Sequence, residues 1–441
     1  MIDHVQSPLF PSVAPKTLSG VLSTYPLTTR QTIDGFRRYA TAVNQLIDQV
    51  PFVNPMTYGA RSDGTKADAT TKAMQKALLA AAGGVLYIPP GLFLLNAALI
   101  QPNDAVTIIG AGQGVAELRW TADALTRGIH IFPDDASKFV TIRDIRMTTL
   151  GQDADVALLI DCTSQIVDVG GVGNLNFMDR IQSRVLLENV TICGANLVDS
   201  GDPFNTGWAG CLNVLALGAI VRGCTIVGRA ATAFAAAANS IGMSFYGTPV
   251  TDFQNGHPVQ FVVEACSFWF CDIAAYFINC EGDYVTNCNI VACNNGVVAF
   301  SNISGGHPQL CVMGTHANCF SRCIHSNGQA QTNINGCNLY LIQTSTAGIG
   351  ILIDRPTTGT PSGHAIYGNS IISLGANSNG IVIDHAAYAL INGNYFQQVD
   401  SKMVSCIWLT ANSSNCKGAG NGYNGTFANT VLDSGTANAV T

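Results

Sequence analysis

Through most of the chain, apolar residues fall in short runs, each closed by Gly, Asn or Pro. Short apolar runs between turn residues predict strands rather than long helices. One unit recurs in the second half. It reads Arg222-Gly223-Cys224-Thr225-Ile226, Glu264-Ala265-Cys266-Ser267-Phe268, Thr286-Asn287-Cys288-Asn289-Ile290, Asn335-Gly336-Cys337-Asn338-Leu339, Tyr367-Gly368-Asn369-Ser370-Ile371 and Asn392-Gly393-Asn394-Tyr395-Phe396. The steps between units are 42, 22, 49, 32 and 25 residues, and the 49 divides into 27 and 22 if Met313-Gly314-Thr315 is a degenerate copy. A period of this size predicts a solenoid of stacked coils. Because the unit is short strands joined by turns, the solenoid is a parallel β-helix.

Cys266 and Cys271 are each followed 22 residues later by another cysteine, Cys288 and Cys293. Coils of a parallel β-helix stack at the inter-strand spacing of about 4.8 Å, so equivalent positions lie on one another. Small buried Cys and Asn then form internal columns, and Asn amides pass hydrogen bonds from coil to coil. The cysteines read as small reduced core residues. Oxidation between coils is the alternative, since the stacking distance lies within disulfide reach. No Cys or His spacing indicates a metal site, and no cofactor is expected.

The first 27 residues form a Pro-punctuated arm. A helix is predicted from Thr28 or Thr29 to Val50, stopped by Pro51. Its apolar residues Ile33, Phe36, Ala40, Val43, Ile47 and Val50 are spaced 3-4-3-4-3. That narrow seam predicts self-association of parallel chains, with three favoured over two. A helix lying along the end of the solenoid is the other reading.

The next segment, Tyr58-Gly59-Ala60-Arg61-Ser62-Asp63-Gly64-Thr65-Lys66-Ala67-Asp68-Ala69-Thr70, leads into a helix to about Ala82 and then Gly83-Gly84-Val85-Leu86-Tyr87-Ile88-Pro89-Pro90-Gly91. This opening resembles that of the pectate-lyase-like superfamily, common in phage tailspikes and secreted polysaccharide enzymes. Two departures stand out: Ser62 occupies a usual Gly, and the usual double Asp is reduced to Ala67-Asp68-Ala69-Thr70. The resemblance implies a right-handed parallel β-helix and is nearly silent on activity. Independently of it, a helix with Met74, Ala77, Leu78 and Ala81 on one face suits a cap for the first coil. The expected division is 1–52 for attachment and trimerisation, 53–100 for the N-terminal cap and 101–441 for the solenoid body.

Composition narrows the functional classes. Only 11% of residues are charged, and the net charge is −7. An acidic, charge-poor chain is a poor partner for nucleic acid. No apolar run is long enough to span a membrane. The N-terminus lacks a basic region followed by an apolar stretch, so no signal peptide is expected. Fifteen cysteines without such a signal fit synthesis in a reducing cytoplasm. A charge-poor β-protein built for exposure outside a cell, yet made in the host cytoplasm, fits a virion component.

Glycoside hydrolysis needs two carboxylates. Glu281 and Asp283, an i, i+2 pair expected to face outward and set by register one coil beyond Val259 and Phe261, are the candidate catalytic pair, with a polar corner turn at Glu281-Gly282-Asp283 as the other reading. Trp269, flanked by inward-pointing Phe268 and Phe270, is expected to face outward and stack on a sugar ring. Two long polar stretches, Asn196–Trp208 and Gly242–Pro258, add Trp208, Asp199, Asp202, Tyr246 and Asp252 as sugar-binding candidates. Glu264, stacked over Arg222 and Glu188, reads as structural charge pairing. Neither a lyase-type basic and acidic cluster nor a nucleotide loop or Ser/His/Asp motif is present. The expectation is a homotrimeric phage spike attached to other virion proteins through residues 1–52 and binding host surface polysaccharide. Whether it also cleaves that polysaccharide stays open, with hydrolysis favoured over elimination. The alternatives are a purely structural or adhesive appendage and an extracellular bacterial polysaccharide enzyme.

Overall fold

A computed structural model of the chain describes residues 52–122, 127–134, 138–162, 184–215, 217–232, 235–247, 259–302, 308–342, 348–355, 363–374, 377–399 and 403–441. The arm and seam helix expected before Pro51 lie outside these residues.

Each coil contributes three strands, and like strands of successive coils pair in parallel. Face 1 runs from Val85–Ile88 through Val185–Glu188, Val259–Glu264 and His364–Tyr367 to Ala439–Val440, a single ladder in strict chain order. Face 2 runs from Gly91–Leu95 through Arg146–Thr149 and Ser267–Trp269 to Gly422–Asn424. Face 3 runs from Leu99–Pro102 through Trp208–Leu215 and Ile349–Asp354 to Asn429–Asp433. The twelve-residue strands Asn289–Phe300 and His316–Asn327 bend across both, which joins faces 2 and 3 into one sheet. The chain winds as a parallel β-helix, and Val53–Thr441 form one compact unit.

The repeated unit of the sequence is the corner between faces 1 and 2. Its second residue takes a left-handed backbone in coil after coil: Asn189, Gly223, Ala265, Asn287, Gly314, Gly336, Gly368 and Gly393 all have φ between 51 and 66°. That conformation favours Gly and Asn, which is why those residues recur. Met313-Gly314-Thr315 is a genuine copy, since Gly314 has φ 58° and Thr315 is buried. The third residue turns inward and stacks into a column of Val190, Cys224, Cys266, Cys288, Thr315, Cys337, Asn369 and Asn394, all of them buried. The sulfurs of Cys266, Cys288 and Cys337 lie against backbone carbonyls of the preceding coil at 3.5–3.6 Å. In the Asn half, Asn369 Nδ2 donates to Ile334 O and to Asn394 Oδ1, both at 3.0 Å. Asn394 Nδ2 then donates to Ile366 O at 3.0 Å and Asn421 Oδ1 at 3.3 Å. All fifteen cysteines are free thiols, and all but Cys311 are fully buried.

The helix Ala67–Ala80 closes the first coil, with Met74, Ala77 and Leu78 fully buried and Ala81 following just beyond its end. Gln75 brackets Ile100, accepting from its N–H at 2.7 Å and donating to its carbonyl at 2.6 Å. This satisfies backbone groups that the first coil leaves without a strand partner. The Ser62-Asp63-Gly64 turn docks on the same coil, since Gly64 N–H bonds Leu92 O and Leu92 N–H bonds Ser62 O. A Cβ on Gly91 would sit 2.4 Å from Ser62 O, so the Pro-Pro-Gly opening has a steric reason here.

Candidate functional site

The expected acid pair divides between corner and core. Strand Glu281–Thr286 stacks Glu281 over Val259 and Asp283 over Phe261. Phe261 is a core side chain, and Asp283 takes the same inward phase at 1% exposure. Neither Asp283 oxygen has a hydrogen-bond partner. Burial, then the nearby Glu281, holds its carboxyl well above the usual carboxylate range. The outward orientation expected of this pair is therefore corrected for Asp283, because i, i+2 residues share whichever face their register dictates. Glu281, at the strand's start, is half-buried, and desolvation raises its pKa to about 6.

Trp208 is likewise a core residue at 1% exposure, edge-to-face with Trp120 at 5.6 Å. This corrects the expectation of a sugar platform there, since the residue opens a face 3 strand instead of ending a loop. The first polar stretch contains a short helix, Ala195–Ser200. Its Asp199 is committed to Arg119 through both oxygens, at 2.7 and 2.8 Å. Arg119 also holds Glu117, which Thr148 and Arg146 contact from the next coil. The network pins the helix onto face 2. Asp202 closes its own turn, accepting from Phe204 N–H at 2.8 Å and Asn205 Nδ2 at 2.6 Å. Asp252 lies outside the described residues.

Trp269 faces outward on face 2 at 36% exposure, between Val227 and Val291. Phe268 is buried as expected, but Phe270 is not its inward partner. It takes the left-handed corner conformation, φ 53°, and Cys271 turns in instead. The Glu188–Arg222–Glu264 register is as read, with Arg143 extending it by one coil and Arg222 4.0 Å from Glu264.

Tyr246 belongs to an outward row along the C-terminal ends of the face 3 strands. The row passes through Ile278, Phe300, Asn327 and Asp354. Asp384 and Thr410 continue it, following the paired Ile353, Ile383 and Leu409. Sequence reading missed this site. His325 Nε2 lies 3.0 Å from Asp354 Oδ1. Asp384 Oδ1 collects Thr410 Oγ1 at 2.6 Å, Asn412 Nδ2 at 3.0 Å and His385 Nδ1 at 3.1 Å. Burial raises the Asp384 pKa, but these donors outweigh it and hold the carboxyl below its ordinary value. Asp354 and Asp384 are stacked one coil apart, so their Cα atoms lie about 4.8 Å from each other. Two outward carboxylates from residues 30 apart in the chain thus occupy adjacent coils, each with a histidine beside it. Among the described residues no group of His, Cys, Asp and Glu is arranged to hold a metal ion.

A family model described as rhamnogalacturonase A/epimerase, pectate lyase-like, matches residues 52–298, more than half of the 441-residue chain. The chain belongs to this family. Its right-handed parallel β-helix is the fold that the strand order shows. No curated protein matches the chain. Among solved structures it is similar to ORF18 of Geobacillus virus E2, at 14% identity over 91% of this chain and 65% of that one, TM-score 0.40. It is also similar to tailspike protein 3 of bacteriophage CBA120, at 12% identity over 90% and 62%, TM-score 0.49. A third is the Dettilon tailspike, at 14% identity over 88% and 68%, TM-score 0.44. The chain spans less than two thirds of the length of the first two. Among the described residues, no helix is long and apolar enough to cross a membrane.

Proposed function

We propose that this family member is a phage virion spike that binds host surface polysaccharide along its solenoid. The observation that carries the reading is the outward row Asn327, Asp354, Asp384 and Thr410 with His325 beside it, a polar strip on an otherwise charge-poor β-helix. The family is named after enzymes of polysaccharides, and a rigid ladder holds such a strip in fixed geometry. Fifteen free cysteines support assembly in a reducing cytoplasm before release. Attachment and trimerisation through residues 1–52 belong to the same proposal, with a trimeric mass in light scattering as the expected result.

Cleavage rests on the same strip. In this reading Asp384, whose carboxyl is held below its ordinary value, serves as nucleophile or base, and the proton comes from the His325–Asp354 side. Glu281, whose raised pKa suits a general acid, faces no second outward carboxylate on its own strand, and this favours binding without cleavage at that position. The test is incubation of the purified chain with capsule and lipopolysaccharide from candidate hosts, following product size and absorbance near 235 nm. Shortened products without absorbance that disappear in Asp384→Asn support hydrolysis at this row. Absorbance overturns the hydrolytic assignment, and retention without cleavage leaves a binding spike. Absence of both retention and cleavage overturns the polysaccharide reading.

A further inference from the structure

Face 2 changes character along its length. Near its start the outward positions are the ion network of Glu117, Arg119 and Arg146, covered by the helix Ala195–Ser200. From Ser267 onward its two outward rows hold no Asp, Glu, Lys or Arg. They hold aromatic rings and amides interspersed with Ser267, Val291, Ser370, Ile372 and Gly422. Trp269, Val291, Asn318 and Tyr340 stack in one row. His316, Asn338, Ser370 and Tyr395 stack in the other. His316 and Tyr340 are in ring contact across the rows, with centroids 5.5 Å apart. Tyr395 is 41% exposed.

Asparagine in a β-helix is ordinarily explained by a column of amides, as at Asn369 and Asn394 inside this one. Asn318 and Asn338 have no such explanation. Their ladder neighbours are Val291 and Tyr340, and His316 and Ser370. Neither side chain makes a hydrogen bond among the described residues, and Asn338 is exposed while Asn318 is half-buried.

We propose that this strip, from Trp269 to Tyr395, binds an extended uncharged polysaccharide lying along the solenoid axis. Aromatic faces take the apolar faces of sugar rings, and amides between them pair with hydroxyls. The coil repeat of about 4.8 Å is close to the length of one hexose in an extended β-linked chain, so equivalent outward positions meet equivalent sugars. Among the described residues the two rows themselves offer no charge to pair with an acidic glycan. A second copy of the chain is a poorer occupant, since burying Asn318 and Asn338 would desolvate amides that have no partner. The inference rests on the polysaccharide-binding reading and adds a second face and a glycan class to it.

The test is affinity electrophoresis of the full chain in native gels containing galactomannan, hydroxyethyl cellulose or polygalacturonate. Variants are Trp269→Ala, Tyr340→Ala and Tyr395→Ala, with Glu264→Gln on face 1 as control. Retardation by a neutral polymer is expected, with apparent affinity falling about tenfold for each aromatic variant and Tyr340→Phe restoring it. Circular dichroism of each variant excludes unfolding as the cause. Retardation that all three variants leave unchanged overturns the strip while sparing the polysaccharide reading. Retardation by polygalacturonate alone overturns the glycan class. A change in light-scattering mass among the variants makes the face a subunit contact instead. No retention on these polymers or on host glycan overturns both.

Discussion

Two inward columns run side by side through this solenoid and treat polar side chains in opposite ways. At the corner of faces 1 and 2, Asn369 and Asn394 bond to the coil before and the coil after. On face 1, the inward row Ala219, Phe261, Asp283, Leu310, Thr332 and His364 also carries polar groups in the core. There Thr332 finds Ser326 at 2.7 Å, but Asp283 and His364 have no side-chain hydrogen bond. The same burial thus stabilises one column and penalises the other. What differs is whether the neighbouring coil offers a matching donor or acceptor.

The largest expected effect breaks the satisfied column. Asn394→Ala removes the acceptor of the Asn369 backbone N–H, one of the two acceptors of its Nδ2 and the side-chain donor to the Ile366 carbonyl, and is expected to cost about 2–4 kcal/mol in denaturant unfolding. A cost below about 1 kcal/mol would show the amide column to be incidental. Asp283→Leu tests the opposite column and is expected to stabilise by about 1–3 kcal/mol at pH 8. The sign follows from its carboxyl being held above the ordinary value of 3.8 in the fold. Stability is then fullest below that value and falls as pH rises toward the folded pKa. Leu at 283 should flatten that fall; an unchanged alkaline slope would mean that Asp283 gains a partner in solution.

His364 supplies the acid limb. Burial lowers its pKa from 6.5 to about 4, so stability is present above 6.5 and drains away as pH drops toward 4. His364→Leu should recover about 1–2 kcal/mol at pH 4.5 relative to the parent, and identical acid midpoints would refute this. Within the corner column, Cys266→Ala removes a buried sulfur that carries little hydrogen-bond energy. It should cost about 1 kcal/mol, well short of Asn394→Ala, and a cost as large would erase the distinction between the two halves. Smallest of all, Glu264→Gln breaks an exposed pair 4.0 Å apart with Arg222 and should change stability by less than about 0.5 kcal/mol.

Much of the scaffold was legible before any coordinates. The left-handed corner is a local requirement, so Gly and Asn announce it wherever it occurs, and the small residue after it announces the inward turn. Even the weak copy at Gly314 was readable. The cap helix declared itself through Met74, Ala77, Leu78 and Ala81. The candidate site was legible only in part. Placing Asp283 over Phe261 already implied the core, because ladder partners share a face, but its spacing from Glu281 suggested an outward pair. Trp208 was read as loop because Gly and Pro precede it, whereas its strand begins at that residue.

Sequence alone therefore determined the winding: turn chemistry, strand length and the character of the inward column are properties of a few adjacent residues. The tertiary structure decided which side chains meet. Asp354 and Asp384 are neighbours only because the chain between them spends one full turn returning to face 3. Arg119 reaches Asp199 across 80 residues for the same reason. Contacts between coils depend on register summed over variable corners and loops, and no local pattern carries that sum.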